Sequence, residues 1–211
     1  MKYSLKFILL CGLVLMGMPS EAQRFNGGIM AGVVGSQVAG DNYSGFNKAG
    51  IFAGGYVRYD TRRGKSSFQM ELAYFQKGSR HNADPKKYED LTYIFRVNYI
   101  ELPILYQYKF AKRFKAEIGP SVGVLINTVE ERGGGEALNI NPAKLTLQIN
   151  AGLYVALNRR FRVNLRTNNS LLSIRSETAH GDVRRFFDWG QYNDCLVLSL
   201  FYQFKDDGGR R

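Results

Sequence analysis

The chain has 211 residues, of which 45% are hydrophobic and 22% charged, with a formal net charge of +11 and two cysteines. That length suits one domain, and neither a Pro/Ser linker nor a shift of composition marks a second. Two cysteines exclude a disulfide-built scaffold, and the basic excess comes without the basic helix that nucleic-acid binding would use.

Lys2 and Lys6 form a positive n-region, Phe7 to Met18 a short apolar stretch, and Ser20-Glu21-Ala22 a small-x-small cleavage site. Residues 1–22 therefore read as a secretory signal peptide and 23–211 as the mature domain, beginning at Gln23. The apolar run is too short to cross a bilayer as a helix. Cys11 follows the large Leu10 where a lipobox needs a small residue. After cleavage only Cys195 remains, so no disulfide within the chain is expected, and the formal charge falls to +10 with the loss of Lys2, Lys6 and Glu21.

Eight long strands follow in chain order: Phe25–Gln37, Ala49–Tyr59, Ser67–Lys77, Tyr93–Phe110, Phe114–Ile126, Ala143–Leu157, Phe161–Ser173 and Asp194–Phe204. Their connections alternate. Asp60–Ser66, Ala111–Arg113 and Asn158–Arg160 are tight and basic, while Val38–Lys48, Gly78–Thr92, Asn127–Pro142 and Ile174–Asn193 run past ten residues.

The fourth strand is the most informative. Ile100, Leu102, Ile104, Tyr106, Tyr108 and Phe110 share one face, and Tyr99, Glu101, Pro103, Leu105, Gln107 and Lys109 share the other. A strand of ~9–11 residues that is apolar on one side and carries charge in mid-strand is what a membrane barrel requires, because lipid satisfies no backbone group. Rings recur beside the tight turns, at Tyr59, Phe68, Phe110, Phe114 and Phe161, and at the outer ends of the first and last strands, at Phe25 and Phe204. Amphipathic rings favour the headgroup level, so these predict a girdle at one end of the barrel. The fold expected is an all-β, eight-stranded antiparallel transmembrane β-barrel with short periplasmic turns and longer external loops, closed by its first and last strands. An inverted, soluble secreted barrel around a small apolar ligand has the same alternation, although the chain lacks the early Gly-x-Trp usual in lipocalins.

Several motifs carry a family resemblance. In order, they are the Gly-rich run from Gly27 to Asp41, Tyr43 to Gly50, Phe68-Gln-Met-Glu-Leu-Ala-Tyr-Phe-Gln-Lys-Gly78, Tyr99-Ile-Glu-Leu-Pro-Ile-Leu105, and Ala116-Glu-Ile-Gly-Pro-Ser-Val-Gly123. This pattern resembles the PorT-like outer-membrane β-barrel family across nearly the whole mature chain. The resemblance implies an outer-membrane, porin-like fold, and it implies association with protein secretion, after the member for which the family is named. The tail Lys205-Asp-Asp-Gly-Gly-Arg-Arg211 departs from barrels that end on the aromatic itself.

Alternation places Glu71, Glu101, Glu117, Arg162 and Arg166 on the polar face, where an interior ion-pair network is expected. Eight strands enclose room for side chains or one small ligand, so a plugged lumen is favoured over a narrow channel. Enzymatic signals are thin. His81 and His180 fall in long loops, the latter near Ser176, Glu177 and Asp182. A lipid-modifying His/Ser pair is the weaker reading, and the cluster is too irregular for a metal. Gly133-Gly-Gly135 lacks the Lys-Ser/Thr of a phosphate loop. No catalytic residue, metal or cofactor is expected.

The last loop combines Arg184, Arg185, Phe186, Phe187 and Trp189, residue types favoured at recognition surfaces. These are the external interaction candidates, with packing over the barrel mouth as the competing role. The expected partners are outer-membrane lipid and lipopolysaccharide, with a protein partner at the outer membrane, and no nucleic acid.

Overall fold

In the computed structural model, residues 25–41, 45–82, 92–133, 135–136, 142–175, 183–185 and 188–205 are described. The predicted signal segment 1–22 lies outside them, as do Phe186, Phe187, His180, Ser176, Glu177 and Asp182. The described chain forms β1 (Phe25–Ala39), β2 (Lys48–Asp60), β3 (Ser66–His81), β4 (Tyr93–Lys109), β5 (Phe114–Arg132), β6 (Gly135–Glu136), β7 (Leu145–Ala156), β8 (Phe161–Ser170), β9 (Val183–Arg185), β10 (Asp188–Gly190) and β11 (Tyr192–Gln203).

The long strands pair antiparallel in the order β4-β3-β2-β1-β11-β8-β7-β5, and β4 pairs with β5 to close the circle. Eight strands thus form the barrel. The first and last strands meet from Gly28 opposite Gln203 to Ala39 opposite Tyr192, so no long edge is left with unpaired backbone groups. β9 and β10 form a separate hairpin in the connection between β8 and β11.

The tight turns are built from local hydrogen bonds. The Thr61 amide donates to Ser66 O at 3.0 Å, and Gly64 turns the chain with a φ of 66°. In the third turn Asn158 Oδ1 accepts from the amides of Arg160 and Phe161, each at 2.8 Å, the Asx geometry that lets one side chain replace a turn's backbone acceptor. The rings beside these turns meet across strands. Phe25 lies 5.2 Å from Tyr59, Phe68 5.5 Å from Tyr106, Phe110 6.1 Å from Phe114, and Phe161 5.2 Å from Tyr202.

Which face meets lipid, a question that alternation leaves open, is answered by burial. Ile29, Val33, Ile51, Leu72, Ile104, Val124 and Leu198 all point outward and are at least half exposed, whereas Glu71, Glu101, Asn150, Asn168 and Arg166 are buried within. An inverted barrel with an apolar pocket would reverse both sets. At ~3.3 Å per residue and a tilt of about 40°, the outward run from Phe110 to Ile100 spans ~25 Å of depth, the height of an outer-membrane apolar band.

Two departures from the predicted elements matter. β5 runs to Arg132 rather than Ile126, and its pairing with β4 shifts by one residue between Asn98 and Tyr99. This bulge sets Glu130 opposite the inward Phe95, which reverses the parity it would otherwise have. Second, the last long connection carries the β9–β10 hairpin.

An outward arginine at mid-belt should be costly. Ile104→Arg is expected to lower stability in vesicles by about 2–4 kcal/mol, whereas Asn98→Arg, outside the belt, should lower it by about 1 kcal/mol or less. Urea unfolding from lipid vesicles, followed by the loss of the heat-modifiable band, measures both.

Candidate functional site

The barrel interior is organised around Arg166 on β8. Its Nη1 and Nη2 donate to Glu71 Oε2 and Oε1, each at 2.7 Å, and its Nε donates to Glu117 Oε1 at 2.7 Å. Nη2 also reaches Glu117 Oε2 at 3.2 Å and Tyr154 Oη at 3.3 Å. The guanidinium therefore engages β3 and β5 along two of its edges. Paired, planar donors of this kind suit carboxylates better than a lysine would. Gln69 Nε2 donates to Glu71 Oε1 at 2.6 Å and to Tyr154 Oη at 3.0 Å, and Asn164 Nδ2 donates to Glu117 Oε1 at 2.9 Å.

A glycine makes this contact possible. Gly152 on β7 lies opposite Glu117 on one side and Arg166 on the other. A Cβ there would come within 2.8 Å of Glu117 Oε1, so any larger residue would push the partners apart. Gly123 does the same beside Glu101, whose Cγ would lie 3.0 Å from an added Cβ.

Glu101 belongs to a second cluster. It pairs with Lys77 rather than with an arginine, and Lys77 Nζ also donates to Asn168 Oδ1 at 2.6 Å. Asn168 Nδ2 then bridges Glu101 Oε2 at 3.0 Å and Asn150 Oδ1 at 2.9 Å. The Lys77 ammonium lies 4.6 Å from the Phe75 ring centroid, close enough for cation–π attraction. Lys77 has the same strand parity as Glu71, so alternation was signal enough to include it. The inward amides and hydroxyls Thr146, Gln148, Asn150, Asn164, Asn168 and Ser170 follow the same rule.

Arg162 corrects the expectation of one shared ion-pair network. It is interior but forms no ion pair among the described residues. Its Nη2 donates to Tyr56 Oη at 2.8 Å, while Nε and Nη1 have no hydrogen-bond partner. Instead three rings surround it, with centroids 5.2 Å away for Tyr56, 5.5 Å for Tyr154 and 5.7 Å for Phe201. One arginine between two carboxylates leaves a local excess of one negative charge. Arg162 offsets that charge across the Tyr154 ring, without touching either acid.

Two clusters of inward apolar side chains accompany these groups. Met30, Phe52, Tyr56, Phe75, Tyr154 and Phe201 belong to one apolar cluster, which also takes in the free Cys195. Tyr93, Phe95, Val97, Tyr99, Val38 and Ile174 form another at the long-loop end. Arg175 covers the latter, 4.2 Å from the Phe95 ring centroid, with its Nη2 2.5 Å from Glu130 Oε2.

Outside, the candidate loop residues separate. Arg185 packs 5.1 Å from the Tyr192 ring centroid and donates from Nη1 to Asp194 Oδ1 at 2.6 Å. Its hydrogen bond to Asp194 raises its pKa above the usual arginine value. Tyr192 Oη donates to Asp188 O at 2.7 Å, so the turn end of the hairpin, where Arg185 pairs with Asp188, is clamped to β11. Arg184 and Trp189 are cross-strand partners and both exposed, Trp189 by 59%. Gly190, at φ 154°, lies so close to Ser173 that a Cβ would be 2.1 Å from its Oγ.

A closed eight-stranded barrel with a polar interior and an apolar outer belt defines an integral membrane β-barrel. Residues 20–176 match the family described as outer membrane protein beta-barrel domain, and the chain belongs to that family, which indicates the bacterial outer membrane. No curated protein matches it. Among solved structures it is similar to Neisserial surface protein A, with a TM-score of 0.52, 10% identity and coverage of 85% of this chain and 97% of that one. It is also similar to Ail, the attachment invasion locus protein of Yersinia pestis, at a TM-score of 0.49 and 13% identity over 86% and 99% of the two chains. A third likeness is to the N-terminal barrel of Pseudomonas aeruginosa OprF, at 0.40 and 11% over 86% and 98%. At these identities the likeness concerns the fold alone.

Removing Arg166 should hurt more than removing the whole triad. Arg166→Met leaves two buried carboxylates unpaired and is expected to cost about 3–5 kcal/mol, while Glu71→Gln/Arg166→Met/Glu117→Gln should recover most of that loss. Gly152→Val should approach the Arg166→Met value by separating the same partners. Equilibrium unfolding in vesicles compares the three.

Proposed function

We propose that this chain is a non-enzymatic outer-membrane barrel that works at the cell surface, as an interaction or secretion-accessory protein, and not as a channel. The observation that supports the reading is a barrel interior crossed by mutually bonded side chains, with an exposed hairpin held against β11 at the long-loop end. Glu71, Glu117, Arg166, Glu101 and Lys77 are bonded to one another across the interior and Arg162 is packed on rings, an arrangement that favours a plugged lumen over a channel. The PorT-like motifs support the secretion-accessory side of this reading.

Arg184 and Trp189 are the contact residues in this proposal. The Arg185–Asp194 pair and Tyr192 restrain the hairpin that presents them, which lowers the ordering cost of binding. A ring beside a guanidinium suits an acidic or glycosylated surface partner. The outward belt makes outer-membrane lipid the constant partner of the wall.

Planar bilayers containing the purified protein should show no steady porin-like conductance, and a large, long-lived open state would reject the filled lumen. Arg184→Ala/Trp189→Ala should assemble normally and lose proteins captured by crosslinking through the external loops. Arg185→Ala should lose the same partners by releasing the hairpin. Unchanged capture in both variants would remove this hairpin as the contact site.

A further inference from the structure

The outer surface of the β3–β4 wall is graded in a way that the apolar belt alone does not explain. Tyr74 lies opposite Ile100, then Gln76 opposite Asn98, then Gly78 opposite Arg96, then Arg80 opposite Ile94. Cross-strand partners share a face, and Ile100 faces outward. The wall therefore passes from hydrocarbon-seeking side chains to neutral amides and then to two arginines. Arg96 lies four residues beyond Ile100, ~10 Å further along the barrel axis at the tilt used above. That is the depth at which headgroups replace acyl chains.

Arg96 is exposed, and no protein group accepts a hydrogen bond from its guanidinium among the described residues. Arg80 is also exposed and donates from Nε to Asn82 Oδ1 at 2.9 Å, a bond that does not use its terminal nitrogens. The two are diagonal neighbours, a relation that sets such positions ~7–8 Å apart. Gly78, directly opposite Arg96, puts no side chain between them. A glycine is required there, because its φ is 134° and a Cβ would come 1.9 Å from Phe95 O. Glu131 lies on the other side of Arg96, opposite Ile94, and forms no ion pair with it among the described residues. Two like charges so close together, at the edge of a low-dielectric belt, repel each other unless an anion lies between them.

We propose that Arg80 and Arg96 form a binding site for a phosphate group of an outer-leaflet lipid A molecule, whose acyl chains lie along the apolar face of β3 and β4 below. Two planar donors on a notch can hold one phosphate from two sides, which a single surface lysine cannot do. The contact is independent of the external hairpin and would hold the wall in register with the outer leaflet.

The test uses the full folded chain, released from detergent micelles in native mass spectrometry. Bisphosphorylated lipid A, chemically dephosphorylated lipid A and phosphatidylglycerol are added in separate arms. Retention of the bisphosphorylated form is expected to exceed that of the other two and to fall about fivefold for each of Arg80→Gln and Arg96→Gln. Lys144→Gln, which removes an exposed cation on another wall, should leave retention unchanged. Equal retention of phosphorylated and dephosphorylated lipid A by the wild type overturns the proposal without any variant. Retention of phosphatidylglycerol as strong as that of lipid A overturns the assignment to lipid A. Undiminished retention by the double variant, in protein that still shows the heat-modifiable folded band, overturns the assignment to these arginines.

Discussion

Everything in this barrel follows from the demand that no backbone amide or carbonyl be left unpaired in hydrocarbon. An open sheet would expose two edges to lipid at several kcal/mol for each unmet group. Pairing β1 with β11 and β4 with β5 removes both edges. Closure then forces every second side chain inward, into a space that eight strands make too narrow for bulk water. Polar side chains sent there must find partners within the wall itself.

The interior solves that problem in layers. One guanidinium serves two carboxylates, an ammonium and an asparagine serve a third, one apolar cluster lies beside them and another lies at the long-loop end. Glycines act at the contacts, where a strand that contributes no side chain lets partners from two flanking strands meet. Such a buried ionic core is weak evidence for stability, since apolar residues of the same volume often serve as well or better. Its more specific effect is on register. A one-residue slip of β3, β5 or β8 would turn Glu71, Glu117 or Arg166 toward lipid.

In the proposed reading, function is carried by what the closed wall leaves outside. At the external end, the hairpin is held by its own ion pair and by a tyrosine, so that one aromatic and one cation remain exposed. On the β3–β4 wall, the change from leucine and isoleucine through amides to arginines matches the change of solvent along the bilayer normal. The same strands that close the barrel thus carry a second, graded outer surface, which the proposal assigns to lipid.

The sequence by itself determined the strands, their alternation, the short-turn end with its rings, and the candidate inward charges, because strand parity is a local property with a period of two. It also determined that Arg166 and Glu71 face the same side, but not that they touch. Contact depends on barrel diameter, stagger and an intervening glycine, and these are properties of the closed sheet. Tertiary structure alone decided that Arg162 sits among rings while Lys77 takes Glu101. It decided which face meets lipid, since burial is defined only after closure. It turned Glu130 inward to Arg175, because the β4–β5 bulge reverses parity in mid-strand. Finally, it separated Arg185 from Arg184: neighbours in sequence point to opposite faces of a strand, and only one of those faces looks back at Asp194.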